Sequence, residues 1–345
     1  MNRVLGGIRF GAGLGRTPGV LLVLLAAALG PALGGDQSTL KPASKASSQI
    51  AGLWWIMLVG SVVVFAVVLA LLLVGVLRRR SGDTGRWSTL GTPFVAIAGV
   101  AIPTVTLVVL FALTLATIPA TSATGDTSPG SSALVIDVTG RQWFWDVVYP
   151  RQHVRTANEI HIPVGEPVSI RATTGDVIHS LWVPSLNRKI DMIPGRTNVI
   201  RFQARRAGSF RGQCAEFCGL QHAHMGLWVI AEPPAQFRHW LAAEKRSAPE
   251  PATQPEERGQ QVFLGSSCVY CHRIAGTNAS GTIGPDLTHL ASRRALGAAT
   301  IPNSRGYLAG WILDPQHLKP GIAMPGTAMN GQELQDLLDY LESLR

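Results

Sequence analysis

Residues Cys214 to Met225 read CAEFCGLQHAHM, and the rest of the chain is best understood outward from them. Two cysteines stand four apart, His222 follows four residues after the second, and Met225 three beyond that. A further histidine, His179, lies upstream in DVIHSLWVP. Two thiolates, two imidazoles and a thioether form a soft donor set that suits copper rather than magnesium, calcium or manganese. A mononuclear blue-copper site needs one cysteine, two histidines and a weak axial methionine. The second cysteine doubles the thiolate supply, so both sulfurs are available to bridge two coppers. Each copper then takes one histidine, with Met225 and the Glu216 carbonyl as weak outer ligands. Such a pair gains and loses one electron with little change in bond length and leaves no open position for substrate. Zinc accepts the same atoms, and a Cys214–Cys218 disulfide competes with any metal. His224, between His222 and Met225, is a rival ligand that spacing alone does not exclude.

A second signature is CVYCH, Cys268 to His272, the pattern of covalent c-type haem attachment. Thioredoxin-like redox pairs share its first four positions. Met324, in KPGIAMPG, supplies the other half of the Met/His axial set found in electron-carrying cytochromes c. Met329, His289 and His317 are the alternatives for the distal place. The two motifs consume all four cysteines, leaving none for a structural disulfide.

With 345 residues the chain has room for two or three domains. A charged fraction of 15% and a mean hydropathy of +0.22 are unusual for a soluble protein and point to membrane segments. Ile50 to Leu77 and Pro93 to Ala120 contain no charged residue, and about 20 apolar residues suffice to span a bilayer. A transmembrane helical hairpin over 50–120 is therefore expected, with Pro103 kinking its second helix. Arg78, Arg79, Arg80 and Arg86 in the connecting loop face only Asp83, which favours the cytoplasm and puts everything after Ala120 on the outer face. Ahead of the hairpin, Arg3, Arg9 and Arg16 precede an apolar stretch too short to span, so 1–34 reads as a secretory signal peptide.

Strand-like runs at Leu134–Val138, Glu159–Pro163, Val168–Thr173, Val177–Val183 and Asn198–Gln203, separated by turn residues, argue for a Greek-key barrel or sandwich over 133–232. A linker at 247–257 leads to a helical domain at 258–345, closed by a helix over Gln332–Leu344. From Ala133 to Arg246 there are 14 basic against 9 acidic residues, and from Ser247 to Arg345 there are 7 against 9. The acidic haem domain is thus expected to dock on the basic copper domain by electrostatic attraction that weakens with salt. Arg205, Arg206 and Arg211 read as a solvated face. No aromatic-basic motif suggests nucleic acid.

Three runs carry a family resemblance: RQWFWDV from Arg141, DVIHSLWVPSLNRKIDMIPGR from Asp176 to Arg196, and CAEFCGLQHAHM. On them, 133–232 resembles the copper domain of cytochrome c oxidase subunit II, a cupredoxin-like β-barrel carrying the binuclear CuA centre. GPDL at Gly284 and WILDPQHLKPGIAMP from Trp311 are similar to segments of all-α class I cytochrome c domains. The whole chain resembles a subunit II with a C-terminal cytochrome c fusion, as in caa-type haem–copper oxidases. The resemblance implies His179, Cys214, the Glu216 carbonyl, Cys218, His222 and Met225 as copper ligands, with His224 a bystander. It implies the Glu216 carboxylate as a magnesium ligand shared with subunit I, and Trp143 as the electron port. It implies Cys268 and Cys271 as thioether positions, His272 and Met324 as axial ligands, and Pro285 as the residue whose carbonyl steadies His272.

The implied activity is that of a proton-translocating cytochrome-c oxidase in the bacterial cell membrane. Electrons pass from a donor, cytochrome c or a quinol–cytochrome c reductase complex, through the haem and CuA to haem a and the oxygen site of subunit I. Subunits I and III are the implied partners, and oxygen chemistry resides in subunit I. Many relatives carry Glu and Trp where this chain has Ala96 and Gly99, so no proton-uptake residue is assigned. The intact copper motif excludes a quinol oxidase subunit. The electron-inlet subunit of a CuA-containing nitric oxide reductase is the alternative.

Overall fold

The structure, a computed structural model, describes residues 37–78, 91–122 and 133–345. The expected signal segment 1–34 and Arg79, Arg80 and Arg86 of the connecting loop lie outside the described residues. Helix α1 spans Lys45–Arg78, and the second apolar helix runs through α2 (Gly91–Ala96), a π-helical turn (Ile97–Ala101) and α3 (Ile102–Thr121). Both helices are long and apolar enough to cross a membrane, and the apolar window of neither is buried by protein. Such a surface suits hydrocarbon, where a helix satisfies its own backbone hydrogen bonds. At Pro103 the helix widens into the π turn just ahead of the ring instead of breaking. Proline has no N–H to give and crowds the carbonyl of the preceding turn, and a π bulge relieves both. The substituted Ala96 and Gly99 fall at this turn.

Short polar contacts tie both ends of the hairpin to one loop of the next domain. Ala43 N donates to Ser185 O at 2.8 Å and Ser47 Oγ to the same carbonyl at 2.7 Å, while Ser44 Oγ donates to Leu186 O. From the other end, Arg188 Nε donates to Thr121 O at 3.0 Å. Ser44 and Ser47 thus give their hydroxyl protons to carbonyls of the next domain, as buried backbone acceptors require.

That domain is built from β1 (Leu134–Arg141), β2 (Phe144–Tyr149), β3 (Val154–Ala157), β4 (Glu159–Pro163), β5 (Val168–Thr174), β6 (His179–Trp182), β7 (Ile190–Met192), β8 (Asn198–Phe202), β9 (Gly208–Cys214) and β10 (Gly226–Glu232). They form two five-stranded sheets, β3-β2-β1-β5-β8 and β4-β10-β9-β6-β7. Pairings β1–β5 and β4–β10 are parallel and the rest antiparallel. Alternate side chains from both sheets, among them Ile136, Val138, Trp145, Ile170, Phe202 and Leu227, fill one core, as period-2 strands require. The run expected over Val177–Val183 starts only at His179, because Asp176 Oδ1 accepts Val177 N at 2.7 Å and turns the chain first. β2, β3, β7, β9 and β10 are not among the expected runs; the last two flank the copper motif.

Helix α4 (Pro234–Glu244) leaves the sandwich, and its Trp240 stacks on His161 at 4.0 Å. The C-terminal domain carries α5 (Gln254–Gly265), α6 (Cys268–Cys271), α7 (Arg305–Leu313), α8 (Pro315–Leu318) and α9 (Gly331–Ser343). A small hairpin, β11 (Ala295–Leu296) with β12 (Ile301–Pro302), adds to the expected helices. Helix α9 opens with a capping box in which Asn330 and Glu333 satisfy each other's backbone N–H, both at 2.9 Å. Helices α5 and α9 cross at Gly259, where a Cβ would stand 2.0 Å from Asp336 O. Gly259→Ala should therefore push the helices apart and destabilise this domain by about 1–3 kcal/mol, the usual penalty for overpacking. Thermal unfolding followed at the haem band would show it as a lowered midpoint.

Candidate copper and haem sites

Cys214 ends β9, the loop 215–225 turns back, and β10 continues the antiparallel pair, so the loop is anchored at both ends by one sheet. His179, at the start of β6, reaches the same place from the neighbouring strand. The Cys214 and Cys218 sulfurs lie 3.7 Å apart. His179 Nδ1 is 3.8 Å from Cys214 Sγ, His222 Nδ1 is 3.7 Å from Cys218 Sγ, and Met225 Sδ is 3.9 Å from Cys218 Sγ. The Glu216 carbonyl oxygen is 3.2 Å from Cys214 Sγ. All six expected donors therefore converge. Potential ligand atoms of His179, Cys214 and Cys218 fall within 4.8 Å of one another and are buried. His224 gives its Nδ1 to Gln221 Oε1 at 2.9 Å instead.

Charge makes the pair a cation site. The Cys214 thiol is pushed down, first by the hydrogen bond shared with Cys218 and, against burial, by His179 and the Glu216 and Ser180 backbone. The bond to Cys214, and then burial, push the Cys218 thiol up. Two sulfurs this close titrate as a pair, and binding a metal requires both as thiolates. The residue that orients this site was not singled out in the sequence. Asp176 Oδ1 meets His179 Nε2 at 2.9 Å, which leaves Nδ1 facing the sulfurs, and Asp176 Oδ2 accepts Gln142 N at 2.7 Å. Carboxylates of this kind fix the tautomer of a ligating imidazole.

In the C-terminal domain a cavity of about 320 Å³ is lined by Cys268, Cys271, His272 and Met324, with apolar walls from Phe263, Leu287, Leu308 and Leu337. Met329 packs on the helical core, His317 is exposed, and His289 Nε2 donates to Arg246 O at 3.1 Å; none of the three lines the cavity. His272 Nδ1 donates to Pro285 O at 2.8 Å, leaving Nε2 as the free ring nitrogen. Burial, ahead of the neighbouring Arg293, lowers the His272 pKa and keeps the ring neutral, as a ligand requires. The carbonyl of Pro285 is held by its neighbour Asp286, whose carboxylate takes Arg273 Nη1 at 2.5 Å and Thr288 N at 2.8 Å. Arg293, 9% exposed, lines the same cavity, and its Nε has no partner. The Arg293 Nη2 is bonded to Asp286 O, and the unpartnered Nε is left facing an apolar slot that fits a flat apolar group carrying carboxylates, as a haem is.

A family model described as "Cytochrome C oxidase subunit II, periplasmic domain" matches residues 150–232, and the "Cytochrome c" model matches 256–345. Cytochrome c oxidase subunit 2 of Alkalihalophilus pseudofirmus is 34% identical over 296 residues, covering 84% of each chain. The chain belongs to the cytochrome c oxidase subunit 2 family. The protein of that name from Bacillus sp. (strain PS3) is 27% identical, over 78% of this chain and 80% of its own length. The periplasmic domain of subunit II from Bradyrhizobium japonicum is 33% identical over 34% of this chain and 96% of its own, with a TM-score of 0.32. As a subunit 2 with a cytochrome c domain, the chain is an electron-inlet subunit of a cytochrome c oxidase, and copper and haem c are its implied cofactors. A nitric oxide reductase inlet is not favoured, since these relatives are oxidase subunits.

In this subunit 2 the two sites share a wall. Trp143, at the turn between β1 and β2, lines the haem cavity, and its Nε1 donates to Cys218 O at 3.0 Å. Gly219, at φ +115°, makes room for it, since a Cβ there would stand 2.8 Å from the indole. The docking surfaces meet through hydrogen bonds and stacked cations, and among the described residues no ion pair accompanies the electrostatic attraction expected from the charge balance. Gly226 N donates to Ala298 O at 2.9 Å and Arg294 N to Glu159 Oε1 at 2.7 Å. Arg211, expected on a solvated face, donates to Ala299 O at 3.0 Å, and it and Arg294 lie over the Trp228 ring at 5.6 and 5.2 Å. Arg205 and Arg206 are exposed as expected. Asp176→Asn should leave the sandwich folded yet weaken copper binding by about 10–100-fold, the usual effect of losing a carboxylate behind a histidine ligand. Chelator competition on the copper-loaded protein measures it.

Proposed function

We propose that this chain is the electron-inlet subunit of a caa-type oxidase, taking electrons from a cytochrome c or a quinol–cytochrome c reductase complex and passing them to subunit I. When bound, haem c and a binuclear CuA centre supply reversible one-electron chemistry. The observation that carries the reading is the single wall between the sites: Trp143 borders the haem cavity and is bonded to the Cys218 carbonyl.

Each residue has a defined task. Cys214, Cys218, His179 and His222 would hold the copper centre through two sulfurs and two imidazoles. Met225 and the Glu216 carbonyl would complete the set, and the pairing of β9 with β10 anchors both ends of the loop that carries these donors. Cys268, Cys271, His272 and Met324 would hold the haem, and Arg293 would offer its guanidinium to a propionate. Trp143 is the port between the two sites. The Glu216 carboxylate, exposed beside the exposed Phe217, would hold magnesium jointly with subunit I. We assign 1–34 to a signal peptide, 50–120 to a hairpin crossing the bacterial cell membrane twice, 133–232 to the copper domain, 247–257 to a linker and 258–345 to the haem domain. Both redox domains then stand on the outer face, against subunits I and III.

Spectroscopy of the purified full chain tests the assignment. Paired copper should give a mixed-valence paramagnetic signal that Cys214→Ser or Cys218→Ser abolishes. Met324→Ala should shift the haem spectrum, and Met329→Ala should not. One bound zinc with no covalent haem would contradict the reading. Because no ion pair crosses the seam among the described residues, transfer from haem to copper should change less than about twofold while the Debye length falls from about 30 to about 3 Å. Rates recorded across an ionic-strength series check this.

A further inference from the structure

Lys319 is the most buried lysine or arginine among the described residues, with 1% of its surface exposed. No carboxylate joins it in any described hydrogen bond or ion pair. Its Nζ instead donates to three carbonyls: Trp143 O at 3.3 Å, His224 O at 2.9 Å and Gly297 O at 2.9 Å. An ammonium has three protons to give, and all three are placed. The acceptors come from both domains. Trp143 opens the β1–β2 turn, His224 sits in the copper loop between His222 and Met225, and Gly297 belongs to the β11–β12 turn of the haem domain. Lys319 itself begins the run that ends in Met324.

The surroundings repeat the arrangement. Thr300 Oγ1 donates to the same His224 carbonyl at 3.0 Å, and Gln221 Nε2 from the copper loop donates to Pro320 O at 2.8 Å. A buried cation is unfavourable unless its protons are matched, and undocking would remove two of the three acceptors. Burial lowers the ammonium pKa to about 8, against the opposing pull of Cys218.

We propose that Lys319 is a positioning residue whose ammonium clamps the haem domain onto the copper domain and fixes the haem cavity against Trp143. The inference rests on the reading of the two sites given above. The step it serves moves one electron from reduced haem to oxidised copper, with no bond made or broken and no proton transferred. Lys319 borders the haem cavity but is not among the expected ligands of either centre, and its three protons are spent on carbonyls; it acts by holding the Trp143 and His224 backbones to the segment that carries Met324.

The test uses the assembled oxidase with both cofactors loaded. Lys319→Met keeps the length of the side chain and removes the three donors. Transfer from haem to copper, followed by flash photolysis, should slow by about tenfold, the population change expected from losing a hydrogen bond to a charged group. Reduction of the haem by an external donor, the haem spectrum and the copper paramagnetic signal should stay as in the wild type, a combination that a general loss of structure would not give. Wild-type transfer in Lys319→Met with both centres intact would overturn the clamp. Should Lys319→Met fail to assemble, Thr300→Val decides: a smaller slowing supports the proposal and an unchanged rate overturns it. A wild-type chain lacking haem or copper would overturn the parent reading, and the clamp with it.

Discussion

One hydrogen bond joins the two halves of this protein's chemistry, from the Trp143 indole to the carbonyl of Cys218. The ring on one end of that bond is wall to the haem cavity, and the carbonyl on the other belongs to a cysteine whose sulfur faces His222 and Met225. Each side depends on it. The β1–β2 turn is held in place by Gln142 as well, whose Nε2 donates to the same carbonyl at 2.8 Å and whose N is taken by Asp176. Asp176 in turn orients His179. A displacement of the turn would therefore disturb the metal donors and the cavity together.

The rest of the architecture holds this bond in a dry, fixed setting. The sandwich supplies a rigid floor, because β6, β9 and β10 are paired neighbours and the donors sit at their ends. The haem domain supplies the lid. Its β11–β12 turn runs through Ala298 and Ala299 at φ 60° and 57°, a left-handed conformation that alanine rarely adopts. Both carbonyls of that turn are used, accepting Gly226 N and Arg211. Strain of this kind persists where neighbouring contacts over-determine the backbone, and here those neighbours belong to the other domain.

The donors were legible because their chemistry is local. Cys214, Cys218, His222 and Met225 lie within one loop, and CVYCH is contiguous, so residue type and spacing suffice. The apolar helices were legible for the same reason, from uninterrupted composition. The groups that orient and join the sites were not. Lys319 meets Trp143 across 176 positions of sequence, and its burial is invisible beside the exposed Pro320 and Gly321. Arg211 looked like one arginine of a solvated cluster, and only the packing of a second domain turns it inward. Counting charges suggested attraction at long range, whereas the seam is made of short bonds to backbone carbonyls, which a count of ionisable residues does not register. The β11–β12 turn was hidden because ALGAAT carries helix-favouring residues, and tertiary contact overrides such weak preferences.

The central claim is that haem and copper are held at one fixed separation by the fold of a single chain. Pulsed paramagnetic resonance of the oxidised full chain measures the distribution of distances between the haem iron and the copper pair. A single narrow distribution, unchanged between low and high salt, is what the account predicts. A broad distribution, or one that widens as salt is added, would contradict it.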